Sequence, residues 1–94
     1  MPKQFCPSLK MRLWREPCAI CGLVGDIEID HIIAKADGGD GSPSNAQPLC
    51  RVCNILKREH KTNAAVREWI CLNASAFTQR QRRRLETKRK MYRP

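Results

Sequence analysis

Apolar residues recur along the chain in distinct rhythms. Ile27-Glu28-Ile29-Asp30-His31-Ile32-Ile33 alternates apolar and polar and then ends apolar, the pattern of a half-buried strand. Residues 37–44 follow as a glycine-rich loop, and residues 46–49 fit a short returning strand. From Arg51 the rhythm changes, with Val52, Ile55 and Leu56 at helical spacing. A second helix is expected over residues 63–72, with Val66, Trp69 and Ile70 on one face and Thr62 or Asn63 as its cap. Residues 77–92 form a third, intensely basic helical stretch. Ahead of all this, residues 1–17 carry Pro2, Pro7 and Pro17 and read as a loosely structured arm, with Leu9, Leu13 and Trp14 available for packing. The expected class is α+β in three sections: an arm (1–17), a central core (18–62) and a helical basic extension (63–94).

A chain of 94 residues with five aromatics has a small core. At this size only about 60–70% of the unfolded surface is buried, so a covalent or metal staple would help. No apolar run is long enough to cross a membrane, and the start lacks the apolar stretch of a signal peptide. A cytoplasmic setting is therefore expected, where thiols stay reduced and six cysteines point to metal rather than disulfides. Cys18/Cys21 and Cys50/Cys53 form two C-x-x-C pairs, and each tight turn can bring two thiolates to one ion. Together they make a tetrahedral four-cysteine site, the arrangement preferred by structural zinc. Gly22 follows the first pair, where such a turn needs positive φ. Cys6 and Cys71 have no partner spacing and are expected to be small buried hydrophobes.

The 28 residues between the pairs exceed what a plain zinc ribbon needs. They hold Asp30-His31, Gly38-Gly39 and Asn45, and Asn54 and Lys57 follow the second pair. The string Cys18-x-x-Cys21, Asp30-His31-Ile32, Gly38-Gly39, Asn45-x-Gln47-x-Leu49-Cys50-x-x-Cys53-Asn54-x-x-Lys57 resembles the HNH endonuclease family. The resemblance implies a ββα-metal fold, in which two strands and a helix pinch one divalent ion, and hydrolysis of DNA phosphodiester bonds. It implies Asp30 and Asn54 as ligands of the catalytic metal, His31 as general base and Asn45 as the residue holding the connecting loop. Asn54 departs from the histidine often found there, although the family contains such asparagine variants. The chemistry is consistent with these roles. A neutral imidazole can take a proton near neutral pH, and a hard cation can polarise the phosphate. Two oxygen ligands favour Mn²⁺ or Mg²⁺ over zinc at that second site. Asp30 and His31, adjacent on a strand, should point to opposite faces and so suit two roles. His60, about 240° around the helix from Asn54, is expected at the surface.

Charge adds a partner. The net charge is +9, and from residue 80 onward there are eight basic residues against one acid. Arg80, Arg82, Arg83, Arg84, Lys88, Arg89 and Lys90 are expected to contact the DNA backbone, with Lys57 a further candidate between phosphate contact and a solvated helix position. Such contacts position a duplex without reading it, so weak sequence preference is expected. A monomer or weak dimer with one metal site would nick one strand per encounter. The competing expectation is a non-catalytic zinc-ribbon nucleic-acid-binding module.

Overall fold

A computed structural model describes residues 2–91 of the chain. Tyr92 and Arg93, which the expected basic tail includes, lie outside the described residues. In chain order the elements are α1 (Pro7–Leu13), β1 (Ile27–His31), β2 (Ala46–Cys50), α2 (Arg51–His60), α3 (Asn63–Leu72) and α4 (Ala74–Met91), with short 3-10 turns at Lys35–Asp37 and Pro43–Asn45. The class is α+β, and β1, β2 and α2 form a ββα unit.

β1 and β2 pair antiparallel, with Ile27 opposite Cys50 at one end and His31 opposite Ala46 at the other. Both strands are edges, so Pro48, which has no N–H to give, is tolerated in β2. Its carbonyl instead accepts from the Ala19 N–H at 2.8 Å and ties down the segment before β1. Leu49 from β2, Leu56 from α2 and Val66 from α3 are fully buried, and Val52 and Phe77 join them. Three helices thus close over one face of a hairpin that could not hide its apolar residues alone. The Thr62 hydroxyl accepts from the Ala65 N–H at 3.1 Å, which caps α3 where the sequence puts the cap.

Four expectations need correction. The first section is not a loose arm: it holds α1, entered through Pro7 at the start of the helix, where proline's fixed φ and missing N–H are no handicap. Phe5 and Leu9 anchor it, whereas Trp14 is 54% exposed. Cys6 and Cys71 are exposed rather than buried. Cys71 lies five residues past Val66, about 140° around α3, and so faces away from the core. His60 is half-buried, its ring centroid 6.2 Å from that of Trp69, because α3 folds back along α2. Among the described residues no helix is long and apolar enough to cross a membrane.

Candidate functional site

Cys18, Cys21, Cys50 and Cys53 converge, with all four sulfurs within 4.8 Å of one another. The Sγ atoms of Cys21 and Cys50 are 3.7 Å apart. A tetrahedron of sulfurs about 2.3 Å from a zinc ion has edges of about 3.8 Å, so the cluster has the dimensions of a zinc site. Each pair folds alike: the first sulfur accepts from the second cysteine's N–H, at 3.5 Å in Cys18/Cys21 and 3.4 Å in Cys50/Cys53. Gly22 completes the first turn at φ +80, a conformation costly for any residue with a Cβ. The thiols also perturb one another. Hydrogen bonding from Cys21 pulls Cys18 well below the usual thiol range, and interaction with Cys18 pushes Cys50 and Cys53 up. Cys21 is lowered to about 7, because Cys50 and Cys53 together outweigh the raising effect of Cys18. Four such sulfurs cannot all ionise side by side without a cation between them, and a divalent ion removes that conflict. From outside, the Gln81 amide of α4 donates to Cys21 Sγ at 3.3 Å.

The other end of the hairpin is open. β1 turns Glu28 and Asp30 toward α2. The Asn54 amide donates to Glu28 Oε1 at 2.7 Å, and Arg51 pairs with Glu28 at 3.1 Å. Asp30 Oδ2 accepts from the Lys57 ammonium at 2.6 Å and from the Gln47 amide at 2.9 Å. Lys57 is only 8% exposed and also donates to the carbonyls of His31 and Ile32, at 2.7 and 3.2 Å. Gln47, opposite Asp30 in the ladder, exchanges two hydrogen bonds with Asn63 at the start of α3. Asp30 is thereby fixed from three elements, and all of these bonds fall on Oδ2. Among the described residues, Asp30 Oδ1 and Asn54 Oδ1 have no hydrogen-bond partner. Asp30, His31 and Asn54 line one cleft of about 750 Å³.

His31 is held from elsewhere. Its Nε2 donates to the Lys3 carbonyl at 2.6 Å, and the Phe5 ring stacks on it with centroids 4.0 Å apart. A carbonyl oxygen can only accept, so Nε2 carries a proton, and in the neutral ring Nδ1 is the nitrogen left with a lone pair. The Pro2 carbonyl accepts from the Gly41 N–H at 2.8 Å and docks the arm to the loop. Asn45, buried, spans that loop: its Oδ1 accepts from the Ile33 N–H at 2.8 Å, and its amide donates to the carbonyls of Ile33 and Asp40 at 3.1 and 2.8 Å. Gly39 is needed here, since a Cβ would lie 1.7 Å from the Ile33 carbonyl oxygen.

The basic residues divide. Arg84 and Lys88 pair with the buried carboxylate of Asp26, at 3.1 and 3.3 Å, and Arg80 lies 5.2 Å over the Trp69 ring. These three hold α4 to the body of the protein, as Lys57 holds Asp30. Arg82, Arg83, Arg89 and Lys90 are exposed, and none has a side-chain partner among the described residues.

Sequence reasoning gave no site role to Glu28, Lys3 or Phe5, took Asn63 only as a candidate helix cap, and held Gln47 only as a position of the signature string. Strand periodicity carries a signal for Glu28, two residues before Asp30 and so on its face, and the hairpin register carries one for Gln47. Nothing local marks Lys3 and Phe5.

Comparison with known proteins agrees with this geometry. Residues 18–61 match the family model for HNH endonuclease. No curated protein and no solved structure matches the chain. The matched span holds all four clustered cysteines, Asp30, His31, Asn45 and Asn54, and the cysteine cluster fits the zinc-binding variant of the HNH family that this span resembles.

Proposed function

We propose that the protein is a metal-dependent endonuclease that hydrolyses DNA phosphodiester bonds, nicking one strand per encounter with weak sequence preference. The observation that carries this reading is the cleft itself, lined by Asp30, His31 and Asn54. The candidate ligands fit a hard cation. Lys57 and Gln47 hold one oxygen of Asp30 and leave the other, while Glu28 takes the Asn54 amide nitrogen and leaves its carbonyl oxygen. A divalent ion there would polarise the phosphate and stabilise the leaving oxygen. Two oxygen donors suit Mn²⁺ or Mg²⁺, and Mn²⁺ tolerates the more irregular shell. His31, with Nε2 tied to the Lys3 carbonyl, offers Nδ1 as the base that takes a proton from the attacking water. Asn45 keeps the loop that carries the end of β1 in register. Zinc in the cysteine cluster serves the fold, and residues 18–62 act as the nuclease core between the arm and the basic extension.

The test is conversion of supercoiled plasmid with no added metal, Mg²⁺, Mn²⁺ or Zn²⁺. Nicked circle should appear first, with Mn²⁺ at least as good as Mg²⁺ and Zn²⁺ poor. His31→Ala should lower the rate by about 10²–10⁴-fold while zinc content and DNA binding persist. Plasmid unchanged under every metal would leave a zinc-ribbon DNA-binding module as the function. Wild-type rates in His31→Ala would remove His31 from the mechanism.

A further inference from the structure

The same cleft has a rim that neither the HNH signature nor the basic tail accounts for. Arg58 and Lys61 stand on the α2 wall and Lys35 on the facing loop. All three are exposed, and among the described residues none has an acidic partner. This sets them apart from Lys57 of the same cleft, whose charge is neutralised by Asp30. Two acids line the cleft with them: Asp30, which is paired with Lys57, and Asp37.

Position argues for a shared task. Asn54 and Arg58, spaced i and i+4 on α2, and Lys61, the residue that ends the helix, all line the cleft and so lead away from the candidate metal ligand along its α2 wall. Seven residues of helix span about 10 Å, roughly three steps of about 3.4 Å along the axis of a duplex. Basic residues in a last turn also answer the negative end of the helix dipole, and that would be enough for Arg58. It explains neither Lys35, which belongs to another element, nor the backbone of Lys61. Lys61 has φ +75 and ψ −34, and the Thr62 N–H donates to the His60 carbonyl at 3.0 Å across it. That is a γ-turn of the rare, strained hand, at a helix end where glycine is the usual residue. Keeping a lysine there costs stability, and strain of this kind collects at functional positions.

We infer that Lys35, Arg58 and Lys61 form a phosphate grip that seats the DNA strand to be cut across the cleft, by holding phosphates next to the one presented to Asp30 and His31. This rests on the nuclease reading. The grip is distinct from the exposed cations of α4, which would meet the backbone elsewhere.

The experiment measures affinity for a short duplex against salt, in buffer without added divalent ion, so that no cleavage is needed. Each phosphate contact contributes about 0.9 to the log–log slope. A triple Lys35→Gln, Arg58→Gln, Lys61→Gln variant that retains zinc should lose about 2–3 units of slope, whereas an unchanged slope overturns the grip. Lys61→Gly serves as a second variant that relieves the strained backbone. It should keep or raise the melting temperature while losing about 0.9 of slope; a wild-type slope there removes Lys61. With Mn²⁺ and plasmid, the triple variant should show a raised KM and a largely retained kcat. If the wild-type protein cuts nothing, the nuclease reading fails while the slopes still decide whether these three residues bind DNA.

Discussion

The cysteine cluster and the Asp30–His31–Asn54 cleft lie toward opposite ends of one short hairpin, and they differ in what they leave open. At the Cys50 end four ligand atoms face each other, three of the four cysteines are buried, and every coordination position of a tetrahedral ion has a sulfur to fill it. At the His31 end two oxygens are left free in a cleft, and the groups around them are held by bonds to other atoms. A closed metal site can only hold a fold together, whereas an open one has room for water and substrate. The contrast can be tested by breaking each end in turn.

The largest effect should come from the closed end. Metal binding to such sites is coupled to folding by about 10–16 kcal/mol in small zinc peptides, more than the stability of most domains of this size. Cys18→Ser or Cys53→Ser should therefore give an unfolded or insoluble chain, read by circular dichroism and zinc content. Cys6→Ser and Cys71→Ser, exposed and outside the cluster, should fold normally. A folded, zinc-free Cys53→Ser protein would contradict the structural role of the cluster.

Breaking the support of the open end should cost less. Among the described residues Lys57 is the one cation paired with Asp30, and its ammonium also satisfies two carbonyls. Lys57→Met leaves a poorly solvated carboxylate with only Gln47 beside it, and loss of one partner from a buried pair costs about 3 kcal/mol or more. Urea unfolding should show that loss, and adding Asp30→Asn should recover part of it, because the uncompensated charge is then gone. A Lys57→Met protein as stable as the wild type would mean that the pair contributes little.

α4 should separate the same two kinds of work within one helix. Phe77, Gln81, Arg84 and Lys88 share a face that meets the core, the cysteines and Asp26. Exchanging exposed Arg82, Arg83, Arg89 and Lys90 for glutamine should leave unfolding unchanged. It should lower the salt slope of DNA binding by up to about 0.9 for each phosphate that is no longer neutralised. Arg84→Gln should do the reverse, destabilising the protein with little change in slope. If both variants changed only stability, α4 would be a structural helix that does not touch DNA.

These divisions also mark what the sequence could carry. The two strands, the start of α2 at Arg51, the span of α3 and the cysteine cluster were all legible, because each rests on period or spacing within a few residues. The side-chain signature of the cleft was legible through its order along the chain. Its supports were not. Lys57 and Arg84 are indistinguishable in sequence from solvated basic residues, and only the packing of α2 on β1 and of α4 near Asp26 turns them inward. Pro2, Pro7 and Pro17 gave the arm the look of a loose segment, yet Phe5 and Leu9 are buried and α1 starts at Pro7 itself and ends before Pro17. Its docking depends on contacts between residues 28 apart, which no local pattern reports.

The smallest effect should come from that arm. Phe5 covers one face of the His31 ring, while the Lys3 carbonyl fixes the proton on Nε2. A stacked aromatic pair contributes about 0.5–1.5 kcal/mol beyond its burial, and the hydrogen bond adds about 1 kcal/mol. Phe5→Leu keeps an apolar side chain and leaves the Lys3 carbonyl in reach. It should lower stability by about 1 kcal/mol and slow cleavage by less than about tenfold, which is about 1.4 kcal/mol of misplacement. Deleting residues 1–4 removes the carbonyl and should slow cleavage further than Phe5→Leu does, because the ring is then free to exchange tautomers and to turn. Nitrogen NMR of the imidazole separates the two: Nε2–H should persist in Phe5→Leu and give way to a tautomer mixture in the deletion. Faster cleavage in the deletion would show that the arm obstructs His31 instead of orienting it.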